Sequence, residues 1–247
     1  MHLFLTSSPC NDDVPFGVDL PCIFFEKNRF VENLQKRVRP EARLLVIPAD
    51  PESYFLNDEM ANTFANCFEY HDMMIASVEI LDARHADYAP QMVAQSDIIL
   101  LGGGHVPTAN AFYHAIGLPA LLQGYSGVIM GVSAGSMNCA STVYAQPELD
   151  GESVDPDYQR YLPGLNLTDI MILPHYQKVK DYMLDGRHLY EDITYGDSYG
   201  KRFIAMPDAS YILCENGRAT LYGEGYLISE GRKHKICRDG HYARIYT

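Results

Sequence analysis

The sequence predicts an α/β protein with a mostly parallel central sheet, helices on both faces of the sheet, and β-hairpins near the C-terminus. Short apolar segments alternate with segments whose apolar residues recur at helical spacing. Continuous apolar runs such as 97–101 (DIILL) are typical of strands buried on both faces of a parallel sheet. A third observation is the turn at 131–135 (GVSAG), which follows an apolar strand and precedes a helix of small residues.

The individual elements are assigned from their own patterns. Predicted strands are short apolar runs, and they lie at 2–5, 43–49, 77–81, 97–101, 169–173 and directly before Gly131. Predicted helices show apolar residues at helical spacing, and they lie at 28–38, 57–70 (with Asn57 as N-cap), 88–94, 181–193 and directly after Gly135. From residue 202 onward, short apolar runs separated by turn residues predict antiparallel hairpins that finish the sheet.

Composition limits the class of protein. The chain has 247 residues, no visible linker or repeat, and is expected to form one domain over 1–247. A formal net charge of −13 argues against partners such as nucleic acid or an anionic membrane surface. No apolar run is long enough to span a bilayer, and the N-terminus lacks the pattern of a signal peptide, so a cytoplasmic location is expected.

The six cysteines are scattered along the chain without a C-x-x-C pair. This spacing favours buried or free thiols in a reducing compartment over a disulfide framework or a zinc site. No H-E-x-x-H motif or closely spaced His/Asp cluster is visible, so no metal and no organic cofactor is expected.

The turn at 131–135 is a G-x-S-x-G motif in the strand–turn–helix context of a nucleophile elbow. Gly131 and Gly135 remove side chains that would collide where the chain reverses sharply. The motif predicts that Ser133 is a nucleophile, and the alternative is a glycine-rich junction that serves only close packing.

A serine nucleophile needs a base within hydrogen-bond reach, usually a histidine held by a carboxylate. His175 follows the predicted strand 169–173, at the sheet edge where open α/β sheets place catalytic groups. His105 also follows a strand, directly after the glycine triplet 102–104. Backbone N–H groups of Gly104 and of Ala134 are candidates for an oxyanion hole. A nucleotide-binding loop is the rival interpretation, but the G-x-G-x-x-G and G-K-[ST] patterns are missing.

The motif GVSAGSMNCA, the glycine triplet and Leu173-Pro174-His175 resemble the S51 serine peptidases, which include dipeptidase E and cyanophycinase. The resemblance runs from the first strand to about Gly231 and implies a class I glutamine amidotransferase-like fold. It also implies that Ser133 is the nucleophile, His175 the base, and Gly104 and Ala134 the oxyanion-hole residues. His105 stands where the family usually has Asn.

The resemblance leaves the triad acid open between Asp208, which follows the next strand, and Glu148, which follows the elbow helix. The strand end beside the histidine's strand favours Asp208. Substrate-binding roles are implied for Arg187, at about the place where dipeptidase E-like enzymes read an acidic residue, and for His105 and Tyr176 near the pocket. A helix-surface arginine is an equally good interpretation of Arg187, and a packing role alone is the alternative for Tyr176.

The sequence therefore predicts a serine exopeptidase that hydrolyses small peptides, with Asp-X peptides as one candidate substrate. The alternatives are a cyanophycinase-like β-aspartyl peptide hydrolase and a catalytically silent amidotransferase-like binding domain. A glutaminase would need cysteine in place of Ser133, and an esterase order of serine, acid and histidine could use only Glu148. Either a monomer or a homodimer is compatible with the sequence, and 145–163 is a candidate lid because it is long and polar.

Overall fold

The computed structural model describes residues 1–246. Its strands, in chain order, are β1 (His2–Thr6), β2 (Cys10–Asn11), β3 (Ile23–Phe24), β4 (Ala42–Ile47), β5 (Ile75–Ile80), β6 (Ile98–Leu101), β7 (Val128–Val132), β8 (Thr142–Tyr144), β9 (Tyr161–Pro163), β10 (Met171–Leu173), β11 (Met183–Leu184), β12 (Arg187–His188), β13 (Phe203–Ala205), β14 (Tyr211–Glu215), β15 (Arg218–Tyr222), β16 (Gly225–Ser229), β17 (Arg232–Cys237) and β18 (Tyr242–Ile245).

The α-helices are mostly short and connect these strands. They are α1 (Phe30–Gln35), α2 (Tyr54–Tyr70), α3 (Ala89–Gln95), α4 (Val106–Ala115), α5 (Leu118–Leu121), α6 (Ala134–Asn138), α7 (Tyr176–Val179) and α8 (Tyr195–Asp197). Single 3₁₀ turns occupy Lys27–Arg29 and Ala86–Tyr88, and a π-helical segment occupies Leu189–Thr194. None of the helices described between residues 1 and 246 is long and apolar enough to cross a membrane.

The central sheet has the strand order β18-β15-β14-β1-β7-β6-β4-β5. Its strands β1, β7, β6, β4 and β5 run parallel to one another. The hairpin β14–β15 and strand β18 extend the sheet in antiparallel fashion beyond β1. The predicted α/β class with a mostly parallel central sheet is confirmed.

Both faces of this sheet are covered, which explains the continuous apolar runs in its strands. Alternate residues of one strand enter opposite cores: Leu45 belongs to the core that α4 and α6 cover, and Leu44 to the core that α2 covers. In β6, Ile99 and Ile98 divide in the same way. The strand period of two therefore sorts the side chains between the two helical layers.

A second, smaller sheet has the order β10-β13-β16-β17. Strands β10 and β13 are parallel and in register, with Leu173 opposite Ala205. The prediction that all the C-terminal hairpins finish the central sheet is thus only half right, because β16 and β17 pair with β13 instead. Their sequence patterns are the same as those of β14 and β15, and tertiary packing decides between the two sheets.

The predicted helix at 181–193 is wrong. Asp185 and Gly186 both have left-handed backbone angles (φ 52° and 76°) and form the tight turn of a β11–β12 hairpin. Asp-Gly is a strong signal for such a turn, and it takes precedence over the helical spacing of the flanking apolar residues. The hairpin is followed directly by the π-helical segment Leu189–Thr194.

Helices α1 and α2 begin at other residues than the sequence predicts. Helix α1 starts only at Phe30, because Asn28 and Arg29 have positive φ angles of 57° and 60°. Helix α2 begins at Tyr54, so Asn57 lies inside its first turn and is not the N-cap. The buried Asn57 amide instead donates to the Asp50 carbonyl, which ties the helix to the preceding loop.

Candidate active site

Ser133 occupies a sharp turn between β7 and α6, with φ 51° and ψ −114°. Such angles are rare for a residue with a side chain, and they lift the hydroxyl out of the sheet edge. A Cβ atom on Gly131 would lie 2.6 Å from the Ser136 backbone, and one on Gly135 would lie 2.1 Å from the Leu101 carbonyl oxygen. The turn therefore needs glycine on both sides of Ser133.

Ser133, His175 and Asp208 form one chain of hydrogen bonds. His175 Nε2 lies 2.9 Å from Ser133 Oγ, and His175 Nδ1 lies 2.7 Å from Asp208 Oδ1. His175 follows β10 and Asp208 follows β13. Because these two strands are parallel and paired, both side chains lie at the carboxyl ends of the strands, close to each other. His175 has left-handed backbone angles (φ 55°, ψ 27°), which turn the ring toward Ser133 of the central sheet.

The Asp208 carboxylate is held by more than the histidine. Oδ1 also accepts a hydrogen bond from Ser7 Oγ at 2.9 Å, while Oδ2 accepts from Gln177 Nε2 at 2.6 Å and pairs with Lys178 Nζ at 2.9 Å. Burial opposes ionisation of Asp208, but the bonds from His175, Lys178 and Ser7 outweigh it and hold the pKa of this carboxyl well below its usual range. Asp208 is therefore an ionised carboxylate, which can accept hydrogen bonds but cannot donate one.

An acceptor at Nδ1 fixes the tautomer of His175. Because Asp208 has no proton to give, Nδ1 is the protonated nitrogen of the neutral ring, and Nε2 is free to accept the proton of Ser133. The arrangement has the geometry in which a serine hydroxyl, a histidine and a carboxylate can perform nucleophilic catalysis.

Ser7 is a member of this group that the sequence did not reveal. Its side chain is fully buried at the end of β1, and its Oγ accepts from the His175 backbone N–H at 2.7 Å while donating to Asp208. One hydroxyl thus links the central sheet to both His175 and Asp208. The only available signal was its position two residues after the predicted strand 2–5, in the run Thr6-Ser7-Ser8.

The glycine triplet lies against the elbow. A Cβ atom on Gly103 would be 3.4 Å from Ser133 Cβ, so this backbone passes directly beside the serine. Gly104 is exposed and lines the cavity next to Ser133. Ala134 is the first residue of α6, and the N–H groups of a first helical turn have no acceptor within the helix.

A cavity of about 240 Å³ opens in front of Ser133 and His175. The other lining residues come from the junction of β6 and α4, helix α6, the segment after β8, and the chain from the end of β10 to the residue after β12. They are Gly104, Val106, Met137, Gln146, Pro147, Glu148, Pro174, Val179, Tyr182 and Leu189. Its walls are mainly apolar. No Lys or Arg occurs among the described residues that line it.

Glu148 brings a carboxylate to this cavity but does not contact His175 through a hydrogen bond in the described structure. Glu148 keeps much of its surface exposed, but its partial desolvation raises the pKa of its carboxyl. The positive potential of His105 works in the opposite direction, and nearby Glu152 adds to the increase. Of the two carboxylates that the sequence offered, Asp208 is the one bonded to the histidine.

The three predicted substrate-binding residues lie outside the cavity wall. His105 is held between Thr108 Oγ1 (2.8 Å) and Glu152 Oε1 (2.7 Å). Tyr176 is buried, and its hydroxyl accepts a hydrogen bond from Lys233. Arg187 is exposed on the β11–β12 hairpin.

The segment 145–163 forms one wall of the cavity through Pro147 and Glu148. It is not wholly irregular, because its last residues form β9, which pairs with β8. Asp185 accepts hydrogen bonds from the backbone N–H groups of Gly151 and Ser153 and so ties the segment to the neighbouring hairpin. His105 fixes it from the other side through Glu152.

A larger groove of about 780 Å³ lies at the amino ends of the parallel strands. It is lined by His2, Asp97 and Val128, at the beginnings of β1, β6 and β7. Parallel α/β sheets place their reactive groups at the carboxyl ends of the strands. Ser133 and the cavity in front of it lie at that end, and the larger groove does not.

The family model described as peptidase family S51 matches residues 25–222. The chain belongs to peptidase family S51. This S51 protein is a serine-type peptidase, a hydrolase, as the resemblance in the sequence implied. No match was found among curated proteins.

Two solved structures are similar in fold to this S51 peptidase. A peptidase from an acI-B1 Actinobacterium has a TM-score of 0.63 at 15% identity, and the match covers 99% of this chain and 96% of the other. A protein described as a putative peptidase E, from Listeria monocytogenes EGD-e, has a TM-score of 0.58 at 15% identity and covers 96% and 98%. At this identity the likeness establishes the fold alone.

Proposed function

We propose that this S51 peptidase hydrolyses small peptides through a triad of Ser133, His175 and Asp208. The observation that carries the proposal is the unbroken hydrogen-bond chain from Ser133 Oγ through the His175 ring to Asp208 Oδ1. Both bonds have lengths within the range for a nucleophile–base and a base–carboxylate contact.

In the first step Ser133 Oγ attacks the carbonyl carbon of the scissile amide, and His175 Nε2 accepts the hydroxyl proton. The carbonyl electrons move to oxygen, where the backbone N–H groups of Gly104 and Ala134 donate hydrogen bonds to the oxyanion. Collapse of this intermediate breaks the C–N bond, and His175 returns the proton to the leaving amine. Water then attacks the acyl ester with His175 as base, which releases the acid and restores Ser133.

Asp208 keeps its charge throughout this cycle. Its lowered pKa allows it to stabilise the imidazolium that forms twice per turnover, and its bond to Nδ1 keeps the ring in place. Glu148 has a different role in this proposal, because it faces the cavity without a bond to the histidine.

The charges around the cavity favour a substrate with a free amino group. Glu148 lines the cavity and Glu152 lies beside it, whereas no arginine or lysine of the described wall can pair with an acidic side chain. An ammonium group next to Glu148 would place the peptide N-terminus inside the cavity and limit cleavage to the first peptide bond. The apolar residues Val106, Met137 and Leu189 suit an apolar first side chain.

Asp-X peptides, the substrates that the family resemblance suggested, are therefore the weaker candidates within this proposal. Arg187 is exposed on its hairpin, outside the wall of the cavity. An aspartate side chain bound there would face Glu148 without a cation to offset the repulsion.

The test is hydrolysis of matched dipeptides, Leu-Ala, Asp-Ala and N-acetyl-Leu-Ala, by the wild type and by Ser133→Ala. We expect Leu-Ala to be cleaved best, the acetylated peptide to be resistant, and the variant to lose about six orders of magnitude in kcat. Labelling with a serine-directed phosphonate, followed by peptide mapping, locates the nucleophile. Full activity in Ser133→Ala, or labelling at another serine, would refute the triad.

The substrate preference is tested separately by Glu148→Gln, which keeps the shape of the side chain and removes its charge. We expect a higher KM for Leu-Ala with little change in kcat. If Asp-Ala is the preferred substrate and Arg187→Ala abolishes that preference, the triad stands but the assignment of Glu148 to the ammonium group fails.

A further inference from the structure

Three cysteines that are far apart in the sequence meet in the structure. Cys10 lies in β2, Cys22 directly precedes β3, and Cys67 lies on α2. Their sulfur atoms all lie within 4.8 Å of one another, and those of Cys22 and Cys67 are 3.8 Å apart. The sequence spacing gave no sign of this cluster, because it forms only when the β2–β3 hairpin packs on α2.

The spacing of the sulfur atoms matches that of thiolates sharing one metal ion. A zinc–sulfur bond is about 2.3 Å long, and two such bonds at a tetrahedral angle place their sulfur atoms about 3.8 Å apart. Cys22 and Cys67 already have this separation. Small rotamer adjustments would bring Cys10, within 4.8 Å of both, to the same distance.

The surroundings also suit a thiolate site. Cys22 and Cys67 are buried in the core that contains Phe24, Phe64 and Phe68, while Cys10 is only half-buried and leaves a path from solvent. Thiolates are the form in which cysteine binds metal.

We propose that Cys10, Cys22 and Cys67 together bind one thiophilic metal ion, Zn²⁺ or Cu⁺. Three sulfur–metal bonds form, and the thiol protons are released to water. Within the described residues no fourth His, Cys, Asp or Glu joins the group. Zn²⁺ would therefore take a water molecule on the half-buried Cys10 side, and Cu⁺ would remain three-coordinate.

The site is structural in character. Its residues belong to the core on the face of the central sheet that α2 covers, whereas Ala134 and Leu173, beside Ser133 and His175, belong to the core on the opposite face. A bound ion would clamp the β2–β3 hairpin onto α2. It would act by ordering the chain between β1 and α1, without entering the peptidase reaction.

The experiment uses the reduced, metal-free full chain and titrates Zn²⁺ and Cu⁺ separately. We expect one ion per chain by native mass spectrometry and protection of three thiols from alkylation. Co²⁺, used as a probe, should give thiolate-to-metal charge-transfer absorption. Cys10→Ser should weaken binding more than about 100-fold, which is the upper end of the cost of losing only an outer-shell partner.

Matched controls are Cys214→Ser, half-buried like Cys10, and Cys237→Ser, buried like Cys22, neither of which belongs to the cluster. Both should bind metal as the wild type does. Alkylation of the wild-type protein with and without metal, mapped by peptide, needs no variant and so covers the case in which Cys22→Ser or Cys67→Ser fails to fold. The proposal is overturned if neither ion binds the reduced wild type, or if Cys10→Ser binds equally well.

Discussion

Replacing Asp208 by asparagine tests the triad most directly, because the hydrogen bonds around this side chain predict which way the amide will turn. Oδ2 accepts from Gln177 Nε2 at 2.6 Å and from Lys178 at 2.9 Å, and both partners are donors. Gln177 cannot reverse its amide without loss, since its own Oε1 accepts from the Asp208 backbone N–H. Ser7 Oγ donates to Oδ1, but its hydroxyl can rotate and accept from an amide instead. In the Asp208→Asn variant, the new amide oxygen is therefore expected to stay at the Oδ2 position.

The amide nitrogen then takes the Oδ1 position, 2.7 Å from His175 Nδ1. It can only donate there, so the ring must carry its proton on Nε2 and can no longer accept the proton of Ser133. A histidine held in the wrong tautomer costs a Ser-His-Asp enzyme about 10⁴-fold in kcat. That factor corresponds to about 5.4 kcal/mol of transition-state stabilisation, at about 1.36 kcal/mol per factor of ten.

The assay is steady-state hydrolysis of the best dipeptide of the panel by Asp208→Asn, with Glu148→Gln as the matched control. Both variants replace a carboxylate of the same active site by its isosteric amide, but only Asp208 contacts the histidine. We expect kcat to fall about 10⁴-fold in the first and less than about tenfold in the second. A loss in Glu148→Gln as large as that in Asp208→Asn, or greater, would refute Asp208 as the triad acid.

Three further predictions concern the surroundings of the triad. Because the pKa of Glu148 is raised, KM for a peptide with a free amino group should increase as the pH falls through that pKa, and Glu148→Gln should remove this dependence. Gly135→Ala puts a methyl group 2.1 Å from the Leu101 carbonyl oxygen. We expect it to lower the free energy of unfolding, measured in urea, by about 1–3 kcal/mol. The control Gly196→Ala has open space at its Cβ and should change this free energy by less than about 0.5 kcal/mol. Arg187→Ala should change kcat/KM for Leu-Ala less than about twofold, since Arg187 does not line the cavity.

The fold class was predictable because it depends on local patterns. Apolar runs such as that of β6 are required wherever a strand is covered on both faces, so they mark parallel strands in any α/β chain. Membership of the second sheet was not predictable, because β16 pairs with β13 through contacts that involve residues far apart in the sequence. The hairpin at Asp185-Gly186 could have been predicted from its turn residues.

At the proposed site, local motifs marked two of the three residues that the structure brings together. Ser133 is marked by its glycines and His175 by the end of its strand. The sequence favoured Asp208 over Glu148, and the parallel pairing of β10 and β13 accounts for its hydrogen bond to His175. The cluster of Cys10, Cys22 and Cys67 was not predictable from cysteine spacing. Its members come together only when the β2–β3 hairpin packs on α2.

Ser7 provides the last and most demanding test of this architecture. Ser7→Ala removes the acceptor of the His175 N–H and one donor to Asp208, so the left-handed turn at His175 loses its support. We expect kcat to fall at least about tenfold and the free energy of unfolding to fall by about 1–3 kcal/mol, the cost of an unpaired buried N–H. Both quantities are measured on the same preparation, by dipeptide hydrolysis and by urea unfolding.

Ser198→Ala separates positioning from stability. The Ser198 hydroxyl is equally buried, donates to the Tyr195 carbonyl and accepts from the Gly231 N–H, so the variant loses a comparable pair of hydrogen bonds away from Ser133, His175 and Asp208. It should lose similar stability with unchanged kcat. If Ser7→Ala also retains full kcat while losing stability, Ser7 only holds the two sheets together and does not position His175. A selective loss of kcat in Ser7→Ala would instead mean that the first strand of the chain controls the geometry of a base that lies 168 residues later.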